Sequence, residues 1–275
     1  MMKQISILGC GWLGLPLAKA MLENGFSVNG STTSSEKLSV LKNSGIQPFL
    51  ITLSENKVDG DPYKFLENSK ILIIDIPPKL RSLEQGSSSP LRRTFVEKIK
   101  NIIPYIEKST VEKVLFISST SVYGGSDSMV TEETIPLPNT ESGRQLLQSE
   151  QLLQTNQNFK TTVLRFGGLI GEDRHPVRFL AGKKNLDNPM APINLIHQND
   201  CSGVILAILQ QNCWGKTLNA VTPYHPSRKD YYTQKAIEKN LDLPEFKNEF
   251  NSVGKTILNG KIISVLKYTF TEPNL

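Results

Sequence analysis

The stretch Ile5-Ser-Ile-Leu-Gly-Cys-Gly-Trp-Leu-Gly14 joins a short apolar run to three glycines with the spacing G-x-G-x-x-G. Residues 5–8 have the composition of a buried strand, and the apolar side chains of residues 12–23 recur at helical spacing. The pair Asn24-Gly25 is typical of a helix end. The glycines therefore lie between a strand and a helix, at the start of a βαβ unit, and this context makes the motif a strong indicator of dinucleotide binding.

Each glycine of the motif has a separate role in such a turn. Gly9 permits the tight turn, Gly11 lets the backbone approach a pyrophosphate, and Gly14 allows the helix to pack closely on the strand. The N-terminus of the helix favours the negative charge of the phosphates. The alternative is a glycine-rich turn that binds nothing, and Cys10 is interpreted as a small filler. The predicted cofactor contacts are Gly9, Gly11, Trp12, Leu13, Gly14, Ser31, Thr32, Ile76 and Pro77.

The end of the second predicted strand bears on the choice of cofactor. A carboxylate there would hold the ribose 2′-hydroxyl of NAD, but residues 29–34 read Asn-Gly-Ser-Thr-Thr-Ser and the next acid is Glu36. The missing carboxylate removes repulsion against a 2′-phosphate, while Ser31 and Thr32 offer hydroxyl donors and Lys37 offers charge. The cofactor is therefore predicted to be NADP or NAD, with NADP favoured. A plain Ser/Thr entry into a helix is the alternative.

Short β-like runs alternate with helical stretches along the first 170 residues. This alternation favours a parallel sheet covered on both faces, so the predicted fold class is α/β, a Rossmann doubly wound parallel sheet. A mobile loop is predicted at residues 86–90, which are rich in Gly, Ser and Pro. Strands are predicted at residues 5–8, 26–30, 48–51, 71–75, 113–117 and 162–166, and helices at 12–23, 35–43, 61–68, 91–107 and 142–156.

The remaining hundred residues are less regular. Residues 1–170 are predicted to form an NAD(P)-binding Rossmann domain, with its doubly wound unit complete by about residue 170. Residues 171–275 are predicted to form a smaller C-terminal substrate-capping region, partly interleaved with the first, since such additions commonly cap the ligand crevice of α/β folds. Within it we expect strands at 193–196 and 216–220, and helices at 200–210 and 227–239.

The composition is that of a soluble globular protein, with 275 residues, 38% hydrophobic residues, 21% charged residues and a net charge of +5. No zinc-finger or RNA-recognition pattern supports nucleic-acid binding. Three cysteines without a C-x-x-C spacing predict no disulfide framework and a cytoplasmic location. Residues 5–20 have some features of a short signal peptide, but the glycines interrupt the apolar run. Nothing later reaches the roughly 18 apolar residues of a membrane span, so no membrane association is expected.

Three further segments resemble the extended short-chain dehydrogenase/reductase family, in the same order along the chain. They are Ile117-Ser-Ser-Thr-Ser-Val-Tyr-Gly124, Arg165-Phe-Gly-Gly-Leu-Ile-Gly171 and Asn194-Leu-Ile-His-Gln-Asn-Asp200. More narrowly, the segments at residues 11–18, 119–124 and 174–179 are similar to the atypical YeeZ-like branch, within the proteins that resemble NAD-dependent epimerases and dehydratases. The similarity continues through His225-Pro226 and Gly254-Lys255.

The resemblance implies a mechanism, and the chain departs from it. In active members a Ser or Thr polarises the substrate, and the Tyr of a Tyr-x-x-x-Lys motif transfers a proton at a pKa that the Lys lowers. Ser119 matches the Ser/Thr position. When Glu150 is aligned with the family's glutamate, the Tyr and Lys positions are Ser142 and Leu146, on one helix face. A serine hydroxyl is not a phenol-like acid and leucine has no ammonium group, so the usual catalytic pair is absent.

Other side chains are candidates for the missing proton transfer. The catalytic candidates are Ser119 and Tyr123, although packing is the favoured role for Tyr123. His175, His197 and His225 titrate in the right range, but structure or anion contact is favoured for each. No metal site is predicted, because the histidines and cysteines lack ligand spacing. The predicted substrate contacts are Arg144, Arg174, His175 and Arg178.

Two functions are compatible with this pattern. The first is an NAD(P)-dependent oxidoreductase, epimerase or dehydratase on a sugar-like or anionic small molecule, which the retained Ser119 and the basic loop at residues 174–178 favour. The second is a non-catalytic dinucleotide-binding sensor or regulatory protein, which intact glycines beside an absent proton relay would predict. Neither the substrate nor the oligomeric state follows from the sequence.

Overall fold

The computed structural model describes residues 3–78, 94–125, 128–248 and 254–275. Its strands are β1 (Gln4–Leu8), β2 (Ser27–Thr32), β3 (Gln47–Leu50), β4 (Thr52–Leu53), β5 (Val58–Asp59), β6 (Ile71–Ile74), β7 (Lys113–Ser119), β8 (Met129–Val130), β9 (Lys160–Phe166), β10 (Gly168–Ile170), β11 (Leu195–His197), β12 (Thr217–Ala220) and β13 (Thr256–Ile257). Its helices are α1 (Gly14–Glu23), α2 (Lys37–Asn43), α3 (Pro62–Leu66), α4 (Thr94–Glu107), α5 (Glu141–Gln154), α6 (Val177–Leu180), α7 (Gln198–Gln210), α8 (Arg228–Glu238) and α9 (Gly260–Leu266), and a 3-10 turn spans Thr120–Tyr123.

Seven strands form one parallel sheet in the order β12-β9-β7-β6-β1-β2-β3. The order runs outward from β1 in both directions, which is the arrangement of a doubly wound sheet, and the predicted α/β Rossmann fold is confirmed. The switch in direction lies between β1 and β6. Ligands of such sheets bind outside the carboxyl ends of the strands at this switch point, and the glycine turn after β1 opens there.

The sheet is buried on both faces because successive side chains of each central strand point to opposite sides. In β6, Ile71 and Ile73 pack into one apolar cluster with residues of α1, α2, α7 and α9. Leu72 and Ile74 pack into a second cluster with residues of α3, α4 and α5. This alternation explains why β6 is an unbroken apolar run in the sequence.

The sheet is not complete at residue 170. β12 pairs in parallel with β9, with Leu218 opposite Leu164, and adds a seventh strand at one edge. The expectation of a doubly wound unit complete by residue 170 is therefore wrong, because a short strand from the C-terminal part finishes the sheet. The division of the chain into domains at residue 170 stays a prediction.

The C-terminal residues also form the structure that follows the carboxyl end of β9. β10 pairs with β11, and a small apolar cluster that includes Ile170, Val177 and Tyr231 joins this pair to α6 and α8. β13, near the C-terminus, pairs in parallel with β8. The buried Asp200 of α7 accepts hydrogen bonds from Tyr268 Oη (2.8 Å) and from the backbone N–H of Thr271 (2.7 Å). These bonds fasten the C-terminal segment to α7.

Most predicted elements of the central sheet and its helices are found within a few residues of the expected bounds. The sequence patterns did not predict the two-residue strands β4, β5, β8 and β13 or the short helix α6, since elements of this length carry too few residues for a periodic signal. The loop expected at residues 86–90 lies outside the described residues.

Candidate cofactor and active site

The glycine turn after β1 is shaped by three glycines in different surroundings. Gly9 has φ +108°, and a Cβ there would lie 2.2 Å from the carbonyl oxygen of Asp75. A Cβ on Gly14 would lie 2.2 Å from the carbonyl oxygen of Gly9. Around Gly11, by contrast, no described atom comes within 4 Å of a Cβ position. Backbone packing therefore requires Gly9 and Gly14, whereas Gly11 leaves open space above the turn.

The end of β2 is hydrogen-bonded to this turn. Gly9 N donates to Ser31 Oγ at 2.9 Å, and Cys10 N donates to the carbonyl oxygen of Ser31 at 2.7 Å. Ser31 and Thr32 are both buried, and Thr32 Oγ1 accepts from Ser34 N at 3.2 Å. The two hydroxyls predicted to contact the cofactor thus lie beside the glycine turn, where that of Ser31 holds the turn itself. Their direct contact with a cofactor stays a prediction.

Asp75, which the sequence analysis did not single out, brings a carboxyl group to the same place. It follows β6, and its Oδ2 lies 3.1 Å from the Cβ position of Gly14. Burial raises the pKa of the Asp75 carboxyl to about 8, although a hydrogen bond from Gly14 N opposes the shift. In the sequence, Asp75 could have been noticed as a single acid at the end of the apolar run of β6, the strand that pairs with β1. Ile76 follows and contacts the turn, with Cγ2 at 3.1 Å from the Cβ position of Gly9, and Pro77 is exposed beyond it.

The three non-glycine side chains within the motif, those of Cys10, Trp12 and Leu13, differ in burial and in their contacts. Leu13 is buried in the core, so only its backbone faces the turn. Burial and the charge of Asp75 raise the pKa of the Cys10 thiol to about 12, which keeps the thiol protonated and unreactive. Trp12 is half-buried, and its indole Nε1 donates to Asp173 Oδ1 at 2.8 Å. A loop 161 residues away in the chain is thereby joined to the glycine turn.

Ser119 ends β7 at the same edge of the sheet, next to the 3-10 turn. It is half-buried, and its Oγ accepts from Ser121 N at 3.2 Å. The ammonium group of Lys255 donates to the carbonyl oxygens of Thr120, at 2.9 Å, and Gly124. Burial lowers the pKa of Lys255. The resemblance at Gly254-Lys255 was the sequence signal for this residue, although no role was assigned to it.

Tyr123 lies in a buried hydrogen-bond network behind this turn. Its hydroxyl donates to Asn219 Oδ1 at 2.8 Å and accepts from Arg165 Nη1 at 2.7 Å. Burial raises the pKa of the phenol, whereas proton transfer near neutral pH needs a lowered one. These contacts favour the packing role of Tyr123.

α5 is the helix that the sequence predicts to correspond to the family's catalytic helix. Gly143 packs so closely that a Cβ there would lie 2.7 Å from the carbonyl oxygen of Ser121. Ser142 is half-buried in the first turn, and Leu146 is buried in the apolar cluster that α5 shares with α3 and α4. The helix therefore begins beside the Ser119 turn, while the position aligned with the lysine is part of the core.

The predicted substrate contacts occupy different places. Arg144 is exposed and pairs with Glu141 on its own helix at 2.9 Å. Arg174 and Arg178 are exposed, on the loop after β10 and on α6 respectively. His175 is buried, its Nδ1 accepts from Val177 N at 3.2 Å, and its Nε2 lies 2.9 Å from Tyr231 Oη. Burial lowers the pKa of His175 to about 4, so the imidazole is neutral near pH 7. In this state it contacts Tyr231 and Val177 of the small apolar cluster around α6 and α8.

The other histidines also have local partners. His197 caps α7 by accepting from Asn199 N at 3.3 Å, and His225 Nδ1 lies 2.9 Å from the carbonyl oxygen of Ile193. Among the described residues, His, Cys, Asp and Glu side chains nowhere form a group of three that could hold a metal ion. In the same ranges, every helix falls short of the length and apolar character that a membrane crossing requires.

The parallel sheet, the glycine turn at its switch point and the serine turn after β7 define a Rossmann protein of the short-chain dehydrogenase/reductase type. A model of the NAD dependent epimerase/dehydratase family matches residues 88–186. The chain is also 33% identical to Protein YeeZ from Escherichia coli (strain K12) over 275 residues, which covers 99% of the chain and 97% of that protein. The chain therefore belongs to the NAD-dependent epimerase/dehydratase family, in its YeeZ-like branch.

Solved structures show the same fold at lower sequence identity. A UDP-glucuronic acid 4-epimerase from Bacillus cereus, in complex with UDP-glucuronic acid and NAD, has a TM-score of 0.78 at 18% identity, covering 98% of this chain and 94% of that one. MoeE5 in complex with UDP-glucose and NAD has a TM-score of 0.77 at 18% identity, covering 98% and 93%. The overall fold of the chain, including its C-terminal part, is thus shared with these proteins.

Proposed function

We propose that the chain binds a nicotinamide dinucleotide at the turn of residues 9–14. The observation that carries the proposal is the open space at Gly11, the one position of the motif where the described protein atoms do not themselves demand a glycine. A residue without a side chain is needed there if a pyrophosphate approaches the backbone. The NAD bound in both solved neighbours supports the same assignment. The absence of an acid at the end of β2 favours NADP over NAD.

We further propose that the chain is an oxidoreductase or epimerase acting on a sugar-like, anionic metabolite. A bound nicotinamide supplies a hydride donor or acceptor. Ser119, at the carboxyl end of β7, is the hydroxyl that would orient a substrate carbonyl or hydroxyl group. The UDP-sugars bound by the two neighbours favour an anionic sugar derivative as substrate. No Tyr-x-x-x-Lys pair takes part, since Ser142 and Leu146 stand in the aligned positions.

A second candidate is a dinucleotide sensor without turnover. Two observations favour it: Leu146 is buried in the core, and the hydroxyl of Tyr123 is occupied by Arg165 and Asn219. In that case the cofactor would bind and no proton would be transferred. The basic loop and the capping region would then serve a partner rather than a substrate.

Titration combined with a substrate screen separates the two functions. The purified protein is titrated with NAD, NADH, NADP and NADPH, and nucleotide-sugar and carbonyl substrates are screened for absorbance change at the nicotinamide band. We expect dinucleotide binding, and substrate-dependent hydride transfer that Ser119→Ala lowers by roughly a hundredfold, as for loss of a polarising donor. Ser142→Ala is the matched control and should keep its rate.

Each of the other results of the titration and the substrate screen decides against one or both proposed functions, or against the role of Ser119. Tight cofactor binding with no turnover on any substrate, unaffected by Ser119→Ala, would support the sensor and reject the enzyme. Turnover that Ser119→Ala leaves unchanged would remove Ser119 from the mechanism. Absence of binding for all four dinucleotides would reject both functions.

A further inference from the structure

Arg174 stacks on the side chain of Trp12, a residue of the glycine motif that is distant from it in sequence. It belongs to a tight turn after β10, in which Gly171 N donates to the carbonyl oxygen of Arg174 at 2.8 Å and Arg174 N donates back to that of Gly171 at 3.2 Å. The guanidinium carbon lies 4.9 Å from the centroid of the Trp12 ring. This distance is within the range of a cation–π contact, which attracts the guanidinium to the face of the indole.

Two further contacts hold the ring of Trp12 in place, and a third holds its backbone. The indole Nε1 donates to Asp173 Oδ1 at 2.8 Å, and Gln198 Nε2 donates to the backbone carbonyl oxygen of Trp12 at 2.6 Å. Gly171 is so close to the ring that a Cβ would lie 2.8 Å from Cζ2. Because Gly171 and Asp173 contact the ring and α7 holds the backbone of the same residue, the guanidinium stacked on the ring has a restricted position beside Trp12.

The charge of Arg174 is available to a ligand. The side chain is exposed, and none of the described carboxylates forms a salt bridge with it. Arg174 lowers the pKa of the buried Cys201 thiol while Asp75 raises it, which brings both charges within electrostatic reach of one residue at the start of α7. An exposed cationic group thus stacks on a residue of the glycine motif.

We infer that Arg174 binds the pyrophosphate of the dinucleotide, and is not a substrate contact as the sequence alone predicted. The inference rests on the proposed dinucleotide binding. A planar guanidinium matches two phosphate oxygens and remains charged at all working pH values. Trp12 provides the platform, since its backbone is part of the phosphate-binding turn and its ring carries the guanidinium. The loop of residues 171–174 then forms the outer wall of the cofactor site.

Two nearby arginines provide the comparison. Arg178 is also exposed but lies on α6, and no described contact joins its side chain to the glycine turn. Arg144 is paired with Glu141. The inference therefore predicts different effects for two arginines that are four positions apart in sequence.

The test compares Arg174→Gln with Arg178→Gln by calorimetric titration with NADPH, NADH and ADP-ribose, which keeps the pyrophosphate and lacks the nicotinamide. We expect Arg174→Gln to weaken all three ligands by roughly tenfold or more, the effect of one charge-assisted hydrogen bond pair. Its affinity should also depend less steeply on salt concentration. Arg178→Gln should bind all three as the unaltered protein does. Arg174→Lys keeps the charge without the planar fork and should recover part of the loss.

The outcomes separate this inference from the proposed function. If the unaltered protein binds dinucleotides and Arg174→Gln binds them equally well, the assignment of Arg174 is overturned while the proposed function stands. If NADPH is weakened but ADP-ribose is not, Arg174 does not contact the pyrophosphate, and the assignment is again overturned. If the unaltered protein binds none of the ligands, both fail. Equal unfolding temperatures of the two Gln variants would confirm that the comparison concerns binding and not folding.

Discussion

Asp75 places an acid against the helix end where the phosphates of a dinucleotide are expected. At neutral pH this is tolerable, because burial raises the pKa of the carboxyl to about 8 and the protonated group carries no charge. Above that pH the carboxylate would repel the pyrophosphate across the first turn of α1. Deprotonation of Asp75 would therefore add one negative charge beside the proposed pyrophosphate position.

We predict that the affinity for NADPH falls by roughly tenfold as the pH rises from 7 to 9, whereas Asp75→Asn keeps a constant affinity, since a unit charge near a phosphate is worth at least 1.4 kcal/mol in this setting. Calorimetric titration at several pH values measures the effect. The thiol of Cys10 does not interfere, because its pKa of about 12 lies outside this window. An equal fall in affinity in both proteins would assign the titration to another group.

The same carboxyl group affects stability with a defined sign. Its pKa in the folded chain lies above the ordinary value of 3.8, so protonation is favoured by folding. The associated stability is fully present below about pH 4 and is lost as the pH rises towards 8. Asp75→Asn should remove this loss, which unfolding by urea at pH 5 and pH 8 would reveal.

At the scale of elements, α5 is fastened to the sheet by a buried ion pair. Glu150 of α5 accepts from Arg165 of β9, with Nη2 to Oε2 at 2.5 Å and Nε to Oε1 at 3.0 Å, and from Ser118 Oγ of β7 at 2.5 Å. Arg165 also donates to Tyr123. One glutamate therefore links a helix and two strands, and through Arg165 it also reaches the turn after Ser119.

Glu150→Gln should lower the free energy of unfolding by about 3 kcal/mol or more, because Arg165 would keep a buried charge without its partner. Glu97→Gln is the matched control: it breaks an exposed pair with Lys100 on α4, and should change stability by about 0.5 kcal/mol or less. Urea unfolding of both variants measures the difference. A small effect of Glu150→Gln would show that the pair contributes orientation without net stability.

At the scale of the whole molecule, the crevice is assembled from segments that are distant along the chain. The glycine turn comes from residues 9–14, the acid from the residue that follows β6, the serine turn from the end of β7, and the proposed outer wall from residues 171–174. These segments meet because the carboxyl ends of parallel strands lie at one edge of the sheet. Sequence motifs predicted the first and third, since each combines a local backbone requirement with a characteristic spacing.

The remaining features depend on contacts that no local pattern contains. The pairing of β12 with β9 is decided by the sheet edge left open after β9, and a four-residue strand carries little signal of its own. The bond from Trp12 to Asp173 joins residues 161 positions apart. The raised pKa of Asp75 follows from its burial beside Gly14, which becomes visible only in the folded chain. Fold class was therefore predictable, whereas the chemistry around the motif was not.

The central claim is that the open space at Gly11 is a binding site for the pyrophosphate of a dinucleotide. Gly11 does not adopt a positive φ, and no described atom would meet a Cβ there, so alanine fits the protein itself. Gly260, at the start of α9, is equally open and lies away from the glycine turn, which makes Gly260→Ala the matched control. The two substitutions therefore add the same methyl group, one inside the proposed site and one outside it.

The measurement is calorimetric titration of Gly11→Ala, Gly260→Ala and the unaltered protein with NADH and NADPH, together with their unfolding temperatures. We predict that Gly11→Ala loses roughly tenfold or more in affinity, as a methyl group in a close contact would cause, while its unfolding temperature stays unchanged. Gly260→Ala should bind as the unaltered protein does. Undiminished dinucleotide binding by Gly11→Ala would contradict the account.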